Sequence, residues 1–293
     1  MCGIAGIINL NGRPVAESDL RRMTDSLRHR GPDGEGFYTS ENVGFGHRRL
    51  AIIDLSDAGK QPMQYMGCTI TYNGEIYNYT ELRETLQKKG YGFHTATDTE
   101  VLLAAYKHWG TDCVNHLNGM WAFAIHDPAN GKLFCSRDRF GEKPFYYSER
   151  DNRFVFGSEI RAVHAALSNK PAPNEVMMAR FLVFEQAEHI RETFFHDVFK
   201  LPAAHNLVVD LRNGSIHIEQ YYSPRRVNTW QVVSEQDAVE ELRTKLRKSV
   251  ALRLRSDVEV GTCLSGGLDS SSIAAFASAL YNPDVQHAFT GIT

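Results

Sequence analysis

No two of the five cysteines form a C-x-x-C pair; they stand at 2, 68, 113, 135 and 263. An odd, scattered set of thiols supports neither a disulfide frame nor a cysteine zinc cage, and reads as the reduced thiols of a cytosolic chain. The twelve histidines contain no H-E-x-x-H or comparable pair, and His29, His47, His126 and His287 stand singly, so no metal is assigned. A dominant charge sign is also lacking. With 32 basic against 35 acidic side chains the formal net charge is -3, and no basic block occurs. Nucleic acid and anionic membranes need clustered Lys and Arg and are disfavoured as partners. No run approaches the ~20 apolar residues of a membrane span, and MCGIAGIINLNGRPV lacks the basic n-region and long apolar stretch of a signal peptide. A cytoplasmic protein is expected.

What remains is an ordinary globular balance, 42% hydrophobic and 23% charged over 293 residues, which excludes disorder, collagen and coiled coil. Single cores stop growing at roughly 250 to 300 residues, so two units are expected. The first reads as short strands with helices outside. Gly3 to Ile8 is an apolar run, and Leu20, Met23 and Leu27 share helical spacing before RHRGPDGEG breaks the pattern. Asn78 precedes Glu81 by three and Thr97 precedes Glu100 by three, both capping-box spacings, while Gly90 and Gly110 are placed to end those helices. WAFAIHD and KLFCSRD flank DPANG, whose Asn130-Gly131 can supply the positive φ of a tight hairpin, and RFVFGS follows. Further strands are predicted at 43–46, 50–54 and 69–72, then at LVVDL and SIHIEQY around Asn213-Gly214. Trp121, Phe123, Phe154 and Phe156 alternate at strand spacing and read as core.

The first unit is taken as 2–215, a polar connector including SPRRVNTW as 216–233, and a second unit as 234–293. In the second, Ser234 caps a helix carrying Val239, Leu242, Leu246 and Val250 on one face. VEVGTCL is a candidate buried strand, followed by SGGLDS and the apolar helix SSIAAFASALY, an α/β order. The run ends one strand later, too short to close its own core, which predicts a truncated unit.

Several residues carry chemistry. Cys2 follows Met1, and a small second residue normally permits methionine removal. A terminal cysteine puts a thiol of pKa about 8.5 beside an α-amine of about 7.7–8.0, so nucleophile and general base share one residue. Asn73-Gly74 offers a side-chain amide and an unobscured backbone N–H, and on its own this dipeptide favours a β-turn. Arg49 can fork onto a carboxylate and Asp98 can accept from an ammonium; a solvated surface charge beside Arg48 and a helix N-cap are the structural alternatives. SGGLDSS, 265–271, places successive N–H groups around Gly266 and Gly267 at a helix start with the Ser265 and Ser270 hydroxyls beside them, an anion-binding concavity or a simple helix-capping turn. It lacks the Gly-Lys-Ser/Thr ending of a Walker A loop.

The ordered series MCGIAG, RHRGPDGEG, HRRLAIIDL, YNGEIYN, TDTEVLL and RDRFGEKPFYY resembles the glutaminase domain of class II glutamine amidotransferases, and with SGGLDSS it resembles glutamine-hydrolysing asparagine synthetases. The resemblance implies a four-layer αββα N-terminal-nucleophile hydrolase sandwich, an α+β fold, followed by the start of an α/β ATP-pyrophosphatase-like domain. It implies that Cys2 attacks glutamine through a thioester, that Asn73 and Gly74 form the oxyanion hole, and that Arg49, Leu50, Ala51, Ile52, Ile53, Asn73, Gly74, Glu75 and Asp98 bind glutamine. Leu264, Ser265, Gly266, Gly267, Asp269, Ser270 and Gly291 are implied in ATP binding, with Mg²⁺ in the complete synthetase domain and no cofactor for the glutaminase step. Aspartate, activated as β-aspartyl-AMP, is the implied ammonia acceptor; another carboxylate is the alternative, as is a non-catalytic glutamine-sensing module. A homodimer is left open.

Overall fold

A computed structural model describes residues 1–187, 189–224, 234–281 and 286–291. The chain divides into two compact units, Met1–Ser223 and Pro224–Thr293. In chain order the first contains β1 (Gly3–Asn9), α1 (Glu17–Asp25), β2 (Gly34–Ser40), β3 (Val43–Arg49), β4 (Met63–Tyr65), β5 (Cys68–Ile76), α2 (Tyr79–Gln87) and α3 (Asp98–Trp109). There follow β6 (Gly119–Asp127), β7 (Lys132–Arg137), β8 (Tyr146–Arg150), β9 (Arg153–Gly157), α4 (Ile160–Ala166), α5 (Glu175–Phe184), β10 (Phe199–Lys200), β11 (His205–Asp210) and β12 (Ile216–Gln220).

The strands form two six-stranded sheets, ordered β10-β8-β9-β1-β3-β2 and β12-β11-β7-β6-β5-β4. Strand alternation explains how they stack. In β1, Ile4 and Ile8 face the second sheet and pack with Phe45, Ala122, Leu133, Leu207 and Phe156, while Ala5 and Ile7 face away and pack with Leu20, Met23 and Leu27. Both faces of β1 are thus buried, which is why its apolar run is continuous. The second sheet presents Ile70, Tyr72, Trp121 and Phe123 outward to Leu82 and Leu86 of α2 and Val101–Tyr106 of α3. The result is helix, sheet, sheet, helix. Each fully buried large apolar side chain contributes about 1.5–3 kcal/mol relative to exposure, and the four predicted core aromatics are all fully buried. Gly6 is required for close approach: a Cβ there would lie 2.2 Å from the Phe156 ring.

Several local expectations need correction. Residues 50–54 are a loop, not a strand, because the chain turns back at Asp54 (φ 55) and its carbonyls accept from Arg49. Asn78 does not cap α2; its side chain clamps a distant loop, donating to the His116 carbonyl (3.0 Å) and accepting from Asn118 N–H (2.8 Å). Thr97 does cap α3, accepting from Glu100 N–H at 3.2 Å. In the hairpin between β6 and β7 the positive φ belongs to Gly131 alone. The first unit continues past 215, since β12 pairs with β11 from His205↔Gln220 to Val209↔Ile216. Of the expected connector, residues 225–233 lie outside the described residues.

The second unit contains α6 (Glu235–Arg253), β13 (Thr262–Cys263), α7 (Leu268–Leu280) and β14 (Ala288–Phe289), with β13 and β14 parallel. Ser234 caps α6, accepting from Asp237 N–H at 3.1 Å. VEVGTCL yields only the two-residue β13, with Cys263 exposed, and of the apolar face of α6 only Val250 is buried while Val239 and Leu242 are exposed. Two short strands bury too little surface to cover that face.

Candidate active site

The residues just before β1, the end of β3, the middle of β5 and the start of α3 converge on one cleft. It is lined by Met1, Cys2, Arg49, Leu50, Ile52, Ile53, Asn73, Gly74, Glu75 and Asp98, together with Gln61, Tyr72 and Lys143. All the expected first-unit site residues therefore meet in one place except Ala51, whose N–H donates to Asp33 Oδ2 (2.9 Å) and which lines an adjoining hollow with Asp57.

The Cys2 thiol accepts the Leu50 N–H at 3.3 Å, and Arg30 Nε holds the Cys2 carbonyl at 2.9 Å. Burial pushes the thiol pKa up, a bias toward S–H that the Leu50 hydrogen bond opposes. Deprotonating it requires a base. Asn73 and Gly74 are not in a turn but in the middle of β5, opposite Ala122 and Trp121. Asn73 is 2% exposed and its Nδ2 is buried without a hydrogen-bond partner, an N–H₂ donor held beside the thiol-bearing cleft. Gly74 allows the neighbouring strand to close in, for a Cβ would stand 2.2 Å from the Met120 carbonyl oxygen.

Asp98 opens α3, but Thr97 provides the cap, which frees the Asp98 carboxylate. Its Oδ2 accepts from Tyr72 Oη and Ile76 N–H, each at 2.9 Å. Burial raises its pKa and these two donors oppose the rise, while burial and the Asp98 charge push the Tyr72 phenol well above 10. Arg49 is buried and two of its nitrogens are engaged, Nη1 donating to the Ser56 carbonyl (2.7 Å) and Nη2 to that of Asp54. The fork is thus pre-oriented by the 54–56 loop, with part of its donor set remaining. Arg48 belongs elsewhere, paired with Asp25 and with Glu35 at 2.8 Å. Burial raises the Glu75 pKa, against the pull of Lys143.

His47 joins the two sheets behind this cleft, its Nε2 3.1 Å from the Tyr72 carbonyl. Complete burial lowers its pKa to about 4. The unfolded chain binds a proton near 6.5 and the folded chain does not, so stability present above pH 6.5 is lost as pH falls toward 4. Between pH 7 and 4 the wild type is expected to lose about 3 kcal/mol more than His47→Gln. Urea midpoints at both pH values check this; equal losses would show that His47 carries no such linkage.

Sequence reading missed Arg30, Asp33, Tyr72 and Lys143. Three of the four lie in RHRGPDGEG or RDRFGEKPFYY, so those motifs carried the signal, but only the fold shows which of their charges turn inward.

In the second unit Leu264 N–H donates to the Phe289 carbonyl (2.8 Å) and Thr290 Oγ1 to that of Leu264 (2.7 Å), which brings exposed Gly291 near the loop. Gly266 takes φ 80, and Gly267 begins α7 without a side-chain cap, leaving first-turn N–H groups available to an anion. Ser265 and Ser270 hydroxyls lie 3.0 Å apart and brace the turn. The loop thus fits a phosphate group. Asp269 lies in the first turn of α7, and among the described residues no group of three or more His, Cys, Asp or Glu side chains could hold a metal.

Residues 1–222 match the family described as glutamine amidotransferase domain. The chain belongs to this glutamine amidotransferase family. Residues 241–292 match the asparagine synthase family. The amidotransferase chain is 38% identical over 314 residues to a putative glutamine-hydrolysing asparagine synthetase of Methanocaldococcus jannaschii, covering 99% of this chain and 59% of the relative. It is 38% identical to asparagine synthetase 3 of Bacillus subtilis, also glutamine-hydrolysing, over 97% of this chain and 46% of that one. It therefore spans about half the length of these relatives. Among solved structures, the glutamine phosphoribosylpyrophosphate amidotransferase of B. subtilis superposes with a TM-score of 0.55 at 20% identity, covering 99% of this chain and 66% of that one. That likeness concerns the fold, the αββα sandwich expected of an N-terminal-nucleophile hydrolase. No helix among the described residues is long and apolar enough to cross a membrane.

Proposed function

We propose that the first unit hydrolyses glutamine at Cys2, and that the ammonia serves an ATP-dependent synthetase unit begun by residue 234 and acting on aspartate. The observation that carries the glutaminase reading is the partnerless, buried Asn73 Nδ2 in the same cleft as the Cys2 thiol. A buried N–H₂ without an acceptor is costly unless a ligand supplies one. The acceptor is the oxyanion of a tetrahedral intermediate, with the Gly74 backbone N–H as the second donor.

Removal of Met1 exposes the Cys2 α-amine, which takes the Sγ proton. The thiolate attacks the glutamine side-chain carbonyl carbon, the oxyanion collapses, and the proton passes to the departing nitrogen, releasing ammonia and leaving a thioester. Water then cleaves the thioester to glutamate. Arg49 fits the substrate carboxylate and Asp98 its ammonium, with Leu50, Ile52, Ile53 and Glu75 as walls. ATP placed on the 265–271 loop would activate a carboxylate as an acyl-adenylate with release of pyrophosphate, and ammonia would attack the acyl carbon and displace AMP; Asp269 lies within that loop, and Leu264 and Gly291 border it. Naming aspartate rests on the similarity to asparagine synthetases. The test is to incubate the processed chain with glutamine and follow glutamate. Steady release supports the reading, and its absence from protein shown by intact mass to begin at Cys2 would favour a glutamine-binding module without catalysis.

A further inference from the structure

Lys143 has no task in the reaction described above, yet the fold spends considerable structure on placing it. Its backbone is fixed on both sides, the N–H donating to Asp138 Oδ2 (2.9 Å) and the carbonyl accepting from Arg137 Nε (2.7 Å). Asp138 is itself buried and also takes N–H groups from Trp121, Phe140 and Glu142, so the 137–143 loop is locked. The Lys143 side chain lines the cleft with Cys2, Gly74 and Glu75, and the residue is only 7% exposed. An ammonium carries three donors. Among the described residues the hydrogen-bond partner of Nζ is the Met1 thioether, at 3.4 Å. Sulfur is a weak acceptor, and Met1 is the residue whose departure the glutaminase reading requires.

We propose that Lys143 is a positioning residue for catalysis, its ammonium standing over the place that Met1 vacates and holding the freed Cys2 α-amine unprotonated, ready to accept the thiol proton. This inference rests on the glutaminase reading. A like charge within about 4–6 Å disfavours a second cation and favours a nearby thiolate, so one lysine biases both partners of the transfer in the productive direction. The balance of neighbours agrees. At the Met1 α-amine, one residue upstream of the amine that processing frees, burial lowers the pKa and the positive groups Arg30 and Lys143 act in the same direction, against Asp33 and the Cys2 thiol. The thiol is further faced by Arg49 and Asp98. Desolvation lowers the Lys143 pKa; the Glu75 and Glu142 carboxylates and the Cys2 thiol oppose that fall, and the Arg30 guanidinium adds to it.

The sign is definite. The neutral amine is the active form, so kcat/KM for glutamine hydrolysis rises with pH along an acid limb set by the amine. Lys143→Met is expected to move that limb up by about one pH unit, a tenfold loss at a fixed pH on the limb, and Lys143→Arg to leave it in place. Lys143→Gln should show the same shift and keeps a polar end in the pocket should the methionine variant fail to fold. Intact mass establishes that each protein begins at Cys2. A uniform fall in rate with an unmoved limb would overturn the proposal while leaving the glutaminase reading standing; a processed wild type that releases no glutamate would overturn that reading instead.

Discussion

Replacing Cys2 by alanine is expected to lower glutamate release by about 10⁴-fold or more, since a lone nucleophile is deleted and the cleft holds no second thiol. The fold should survive. In the folded chain the thiol is engaged with the Leu50 backbone, so its loss removes one weak hydrogen bond and opens only a small gap. The measurement has an internal control. Cys263 is an exposed thiol in the second unit, whereas Cys68, Cys113 and Cys135 are buried. A diazo-ketone analogue of glutamine should label Cys2 alone, and labelling should vanish in Cys2→Ala although Cys263 remains accessible. Undiminished glutamate release from the variant would remove Cys2 from the mechanism.

Asn73→Ala is the second large effect. An oxyanion donor contributes in the transition state and little to the resting complex, so kcat should fall by about 10²–10³, equivalent to about 2.7–4 kcal/mol, with KM changed only a few-fold. Asn73 suits this measurement because its Nδ2 has no partner to strand when it is removed. Asn73 stands opposite Ala122 in the β5–β6 ladder, and that strand pairing does not depend on its side chain and should persist. A raised KM at unchanged kcat would assign Asn73 to ground-state binding, and the oxyanion role would be lost.

These two residues also show how far the amino-acid order reaches. Cys2 was legible because its chemistry is local: the thiol and the prospective amine belong to one residue whatever the rest of the chain does. Asn73-Gly74 was legible only through the neighbouring motif, because as a dipeptide it favours a turn; strand β5 has nine residues with β6 paired along it, and that pairing overrides the local preference. Asp98 was ambiguous for a similar reason. Whether an aspartate at a helix start caps the helix depends on its neighbour, and Thr97 takes that place. The 50–54 segment read as a strand because apolar residues dominate it, but the buried Arg49 needs carbonyl acceptors and draws the loop around itself.

Periodicity and burial preference alone determined the strand-rich character of the first unit, the helices outside it and the order strand, loop, helix in the second, whereas the stacking of two sheets followed from the family resemblance. The former features follow from which residues must leave water within a few turns of chain. Tertiary structure alone decided which charges face the cleft: that Arg49 enters and Arg48 pairs outside, that Asp98 turns to Tyr72, and that Lys143 reaches Met1 from 142 positions away. A charged side chain can be solvated, paired or buried at similar local propensity, and the choice is made by the long-range packing that brings its partners together.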